Sequence, residues 1–226
     1  MTFEDMRAVA LHIGLSDASV SAFLPLLFSA AEKTGADNEP GLHLALQELR
    51  GWNGMAEEGS VGKRIFDAWM EELRQEVFGD EFGEAIRGDL GRLAQPSALL
   101  HALMGPNSSV PLSRDYLNGR GRDEVMVAAL RKAIARLTAE DPVRVNWRHS
   151  QGTIDLSPLP PIPRTNRGTY ISIVELAAPR LRSVSILPPG QSEDPQSPHY
   201  GDQREMAALF RFKPILYLPE QLGLGR

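Results

Sequence analysis

Through the first 140 residues, apolar side chains recur at intervals of three and four, the spacing of one helix face. The clearest run is Val61, Ile65, Trp69, Leu73 and Val77, with Phe66 and Met70 beside it. It predicts the longest helix, over 60–78. Val127, Leu130, Ile134 and Leu137 predict another over 123–138. Val20, Phe23, Leu24, Leu27 and Phe28 predict a third, capped by Ser16 or Asp17, with Pro25 ending or kinking it near Leu24. Pro40 opens a helix that carries Leu42, Leu46 and Leu49 and stops at Gly51. Thr2 followed by Asp5 predicts a capping box on a helix reaching His12. Residues 97–104 predict a short helix, 105–111 a loop and 118–122 a Gly-rich turn.

After Asp141-Pro142 the period changes, and β-branched residues and prolines dominate. Residues 143–147 and 153–156 read as short strands, and 158–163 as an extended Pro-rich segment. The best strand is 169–176. Its apolar residues fall on both faces, the pattern of a strand covered on each side. Residues 182–187 are its expected hairpin partner across Ala178-Pro179. Ser197-Pro198 is expected to open a helix running to about Phe212, and 215–218 to add a last strand. The class is α+β: a mainly helical lobe over 1–140, then a strand-rich part over 141–226.

Composition narrows the chemistry. The 226 residues are 42% apolar and 23% charged, so a packed core is expected rather than global disorder. The net charge is −5 with both signs interspersed, which argues against nucleic acid as the main partner. The absence of cysteine excludes disulfides, thiolate nucleophiles and cysteine-ligated metal. No apolar run approaches the ~20 residues of a membrane-spanning helix. The first residues, MTFEDMRAVALH, lack a basic-then-apolar layout, so no signal peptide is visible and the compartment is left open.

The most specific string is LPPGQSEDPQSPHYGDQ, residues 187–203. Its His199 stands three residues before Asp202 and four before Gln203, which would place all three on one helical face. They could serve as a proton relay or as metal ligands. A hydrogen-bonding network that fixes the loop is the favoured reading, because two ligands on one turn do not close a zinc site and no H-E-x-x-H pattern occurs. Ser192 is not a nucleophile elbow, since Asp194 stands where the second glycine belongs.

Thr2 would become a terminal nucleophile on removal of Met1, but an N-cap turns the hydroxyl inward, and capping is favoured. His12, His43 and His101 are lone histidines in helical stretches. Trp52, Trp69 and Trp147 are expected in the core or at a seam rather than in a substrate box. Glu57-Glu58 and Glu71-Glu72 are expected on solvated helix faces. Gly119–Gly121 reads as a turn, not a phosphate loop.

Residues 168–214, GTYISIVELAAPRLRSVSILPPGQSEDPQSPHYGDQREMAALFRFKP, resemble the C-terminal end of the penicillin acylase family of N-terminal-nucleophile amide hydrolases. A weaker echo is LRGWNG at 49–54, with Asn53 where the family has Asp, and residues 3–26 resemble the segment leading into it. The resemblance implies a precursor that cuts itself. The new N-terminal serine of the larger chain attacks the amide, its own amine serves as base, and an asparagine with backbone N–H groups stabilises the oxyanion.

Those elements lie upstream of the part resembled here, so no residue of this chain matches the nucleophile, its base or the oxyanion donors, and no metal or cofactor is expected. The strands would complete an αββα sandwich. The implied partner is the upstream, nucleophile-bearing half. The implied substrate is a small N-acyl amide, such as a penicillin or an acyl-homoserine lactone, acted on by the complete enzyme only. Family members are often periplasmic or secreted. Glu193 stands where the family usually has Gly, residues 147–149 only loosely echo a Trp/His segment, and the tail after Pro214 is short. The alternative reading is a stand-alone, non-catalytic binding or scaffold domain derived from the same fold.

Overall fold

A computed structural model describes residues 1–87, 94–143, 147–150, 152–164, 170–176, 181–218 and 221–223. In chain order the helices are α1 (Phe3–Leu15), α2 (Val20–Thr34), α3 (Pro40–Gly51), α4 (Val61–Phe82), α5 (Pro96–Met104), α6 (Arg122–Glu140) and α7 (Arg204–Ala208). The strands are β1 (Thr153–Leu156), β2 (Leu159–Pro163), β3 (Ile171–Glu175), β4 (Arg182–Ile186) and β5 (Lys213–Pro214). The class is α+β, as the periodicity implies. Two compact units result: residues 17–150, and residues 1–16 with 151–226. The first helix thus groups with the strands, whereas its period alone grouped it with the helices.

The helical unit, α2 to α6, is built on the predicted stripes. Ile65, Trp69, Leu73 and Val77 of α4 are all fully buried, and so are Val127, Leu130 and Leu137 of α6. α4 packs most extensively on α6, and α6 also on α2. Phe23 and Phe66 flank the Trp69 ring at 6.4 and 5.8 Å between centroids, and the Trp69 indole N–H donates to the carbonyl of Met126 at 3.0 Å. Trp147 is buried and donates to the carbonyl of Leu137. Trp52 is half-buried, donates to the carbonyl of Met55 and stacks on Phe66. All three tryptophans are packing residues.

Gly62 makes this packing fit. A Cβ there would lie 2.4 Å from the Trp52 side chain, inside van der Waals contact, so α4 starts with a residue that leaves room for the indole.

Several local expectations change. Pro25 does not end α2. It lies within the first two turns, so the helix loses one backbone bond and continues to Thr34. The N-cap of α2 is Ser19, and Asp17 instead accepts from the Ser19 backbone N–H at 3.0 Å. Glu71 and Glu72 are not a free solvated face. Arg136 of α6 reaches both, at 2.7 and 3.0 Å, and Glu72 is buried. A helix face read alone carries no sign of the cation opposite.

The second unit is thinner. β1 and β2 form one antiparallel pair, so the Pro-rich segment is a strand. β3, β4 and β5 form an antiparallel sheet in that order, with Ile171 opposite Ile186 and Ile173 opposite Val184. The β3–β4 pairing follows the predicted hairpin; its turn at 178–179 lies outside the described residues, as do residues 144–146 of the expected strand 143–147.

β3 is an edge strand covered on one side only. Ile173 is buried, while Tyr170, Val174 and Leu176 are exposed at 56, 54 and 83%. α1 packs on β3, with the Arg182 guanidinium 3.8 Å over the Phe3 ring and 3.0 Å from Glu4. The expected helix 197–212 shrinks to α7. Ser197 accepts from the backbone N–H of His199 in a local turn instead of capping a helix, and Phe210 at φ 51° ends the segment. β5 lies two residues before the predicted strand 215–218, though the N–H of Ile215 still donates to Ser183.

Candidate functional site

Residues 187–203 fold into a loop whose two ends are tied by Gln203. This side chain is 1% exposed. Its Oε1 accepts from the backbone N–H of Leu187 at 2.9 Å, and the Gln203 backbone N–H donates to the carbonyl of Pro189 at 3.0 Å. Its Nε2 is buried without a partner. Gly190 sits where the strands of the loop cross: a Cβ there would lie 2.1 Å from the carbonyl oxygen of His199. The backbone N–H of Gln191 donates to that same carbonyl at 2.9 Å. The Gly of the Pro-Pro-Gly turn is therefore demanded by backbone approach rather than by a positive φ.

His199, Asp202 and Gln203 do not share a helical face, because α7 begins only at Arg204. His199 is exposed and pairs through Nδ1 with Asp202 at 3.0 Å, while Gln203 turns inward. Their geometry is that of a loop clasp with an exposed ion pair at its rim. Ser192 accepts from the backbone N–H of Asp194, a local turn bond. Thr2 forms the predicted capping box: its Oγ1 accepts from the Asp5 N–H at 3.1 Å, and its own N–H donates to Asp5 at 2.6 Å. Hydroxyl and amide are both committed to the helix end.

A second polar cluster, inside the helical unit, joins residues far apart in sequence. Lys63, near the start of α4, bridges Asp17 at 3.0 Å and Asp67 one turn along, and Asp17 also binds Ser19. His149 approaches Asp67 at 3.5 Å. Its own backbone is clasped to the entry of α4, donating to Ser60 and accepting from Gly59.

Burial works against the charges of Asp17, Lys63 and His149, but the partners decide the outcome for the first two. The Ser19 hydroxyl and the Lys63 ammonium hold Asp17 below its ordinary pKa. The two carboxylates raise that of Lys63. For His149, burial prevails and lowers the pKa despite Asp67. A lysine held protonated is neither base nor nucleophile near neutral pH. The cluster ties α4 to the residues before α2 and after α6, with one ammonium shared between two carboxylates.

Asn53 lies in the LRGWNG segment at 49–54. Its Oδ1 accepts from the Met55 N–H at 3.0 Å, and Gly54 follows at φ 76°. The carbonyl of Gly54 then accepts from Asp17. The segment is a turn that fixes the entry to α2. Among the described residues, no group of three His, Cys, Asp or Glu is placed to hold a metal ion. A hydroxyl–imidazole pair does occur among them: His101, a lone histidine in the sequence, meets the Ser108 hydroxyl through Nδ1 at 3.0 Å.

The family model described as penicillin amidase matches residues 1–223. A solved structure, the thermostable penicillin G acylase from Alcaligenes faecalis in orthorhombic form, matches with a TM-score of 0.73 at 23% identity. The match covers 97% of this chain and 47% of that one, so this chain spans about half the length of the acylase chain it resembles. The motif at 187–203, the turn at 49–54 and the α+β order lie within a match that runs through both units, and the chain belongs to the penicillin amidase family.

Proposed function

We propose that this chain is the C-terminal portion of a penicillin acylase-type amidohydrolase, and that it acts only when joined to an upstream half that carries the N-terminal nucleophile. In the complete enzyme the reaction would be hydrolysis of a linear amide in a small N-acyl substrate. This chain would supply part of the scaffold and none of the reacting groups.

The observation that carries the reading is the imbalance between the two units. The helical unit has a continuous apolar core. In the other unit, the buried apolar side chains among the described residues are Phe3, Ile162, Ile173 and Ile186. Its apolar groups are instead exposed: Met6, Val9, Leu11 and Ile13 on α1, and Tyr170, Val174 and Leu176 along β3. Coverage of 47% of a related chain agrees with a missing half.

The test is an amide-turnover assay with the pure chain, using chromogenic phenylacetyl and fatty-acyl amides. No turnover is expected. Robust turnover that disappears in Thr2→Ala would overturn the reading and make Thr2 the nucleophile.

A further inference from the structure

A cleft of about 770 Å³ opens in the helical unit between α5, the loop that follows it and the start of α6. Its size falls within the range of small-molecule sites. One side is apolar: Leu103, Met104, Val110 and Leu112 line it, and Val110 is half exposed to the opening. Arg114 and Arg122 line the same space on a chain whose net charge is −5.

What sets this cleft apart is the state of its charges. Asp115 has both oxygens occupied by the backbone N–H groups of Leu117 and Gly119, at 2.9 and 2.7 Å. Asp123 is paired by Arg122 and by Lys33. Arg120 is committed to Glu76 and to two backbone carbonyls. Asp115 is thus held by backbone donors, Arg122 gives its Nε and Nη2 to the Asp123 carboxylate at 3.1 Å each and keeps Nη1, and Arg114 is only loosely paired. The Nη1 of Arg122 is directed at the Sδ of Met104, 3.9 Å away, a weak acceptor for a guanidinium. Arg114 is 61% exposed, and its nearest carboxylate oxygen, on Glu81, is 3.8 Å away, beyond hydrogen-bond reach.

We propose that this cleft binds a small amphipathic anion, with its anionic group on the Arg122 guanidinium and its apolar body against Met104, Val110 and Leu112. An anionic oxygen would replace the thioether as the acceptor for Nη1, a charge-assisted bond in place of a weak one. Arg114, at the opening, adds favourable potential and a second donor. The selectivity follows from the lining: a neutral molecule of the same shape gains the apolar contact alone.

The test compares two fluorescent probes of nearly identical shape on the full chain, anionic 1-anilinonaphthalene-8-sulfonate and neutral N-phenyl-1-naphthylamine. The sulfonate is expected to bind at least tenfold more tightly, with an affinity that falls as salt is raised. Val110→Glu places an anion at an exposed position and tolerates folding; it is expected to weaken the sulfonate at least tenfold and leave the neutral probe nearly unchanged. Arg122→Gln is expected to remove most of the discrimination. Val174→Glu, on the exposed face of β3, is expected to leave it intact. Equal binding of the two probes, no binding of the sulfonate, or loss of binding in Val174→Glu but not in Val110→Glu would each overturn the proposal.

Discussion

Gln203 and His199 stand four residues apart in the motif and are opposite in consequence. Gln203 holds the backbone of Leu187 and Pro189 from a buried position, whereas His199 pairs with Asp202 at the surface. Removing a buried acceptor leaves the Leu187 N–H unsatisfied, so Gln203→Leu is expected to destabilise by about 1–3 kcal/mol. An exposed ion pair contributes little, so His199→Ala is expected to change stability by less than about 1 kcal/mol. Chemical denaturation of the two variants checks this, and a larger loss in His199→Ala would contradict the clasp. At this scale the sequence was legible where a residue acts locally: Thr2 with Asp5 caps a helix as their spacing implies. It was illegible where the partner is distant. Nothing near Lys63 in sequence announces Asp17, and nothing near Glu72 announces Arg136.

At the scale of elements, helices were read well because each carries its own period and stop signals. α3 runs from Pro40 to Gly51 and α5 ends at Met104, as their capping residues indicate. Strands were read less well because cover comes from elsewhere. β3 is apolar on both faces, yet only the face toward α1 is buried. The predicted helix after Ser197 failed because short side chains there satisfy backbone groups in turns.

The clasp at 147–150 adds a pH dependence. His149 lies among Asp67, Lys63, Glu58 and Arg64, and burial holds its folded pKa below 6.5. As pH falls, the unfolded chain takes up the proton first, so stability declines from about 6.5 downward until the folded histidine also protonates. Melting of the helical unit is expected to fall between pH 7.5 and 5 in part through this residue, and His149→Asn is expected to flatten that part. A variant with an unaltered pH profile would remove His149 from the account.

The whole molecule is two units of unequal self-sufficiency. The helical unit closes its own core around Trp69, and its ion pairs between α4 and α6 are internal. The strand-bearing unit shows apolar side chains on α1 and along the free edge of β3, an arrangement that stable isolated sheets avoid. Composition could not reveal this, because the same apolar fraction serves a closed core or a seam. The resemblance at 168–214 named the family that the match over residues 1–223 shows, and the proposal of a longer fold rests on that membership.

Hydrogen exchange read along the isolated chain, then along the chain co-expressed with the upstream half of a penicillin acylase-type precursor, tests the central claim most directly. Local opening reports local stability. We expect strong protection in α4 and α6 in both samples. In β3, β4 and α1 we expect weak protection in the isolated chain and strong protection when the upstream half is present. Equal and strong protection of both units in a soluble, monomeric isolated chain would contradict the account and establish an independent domain.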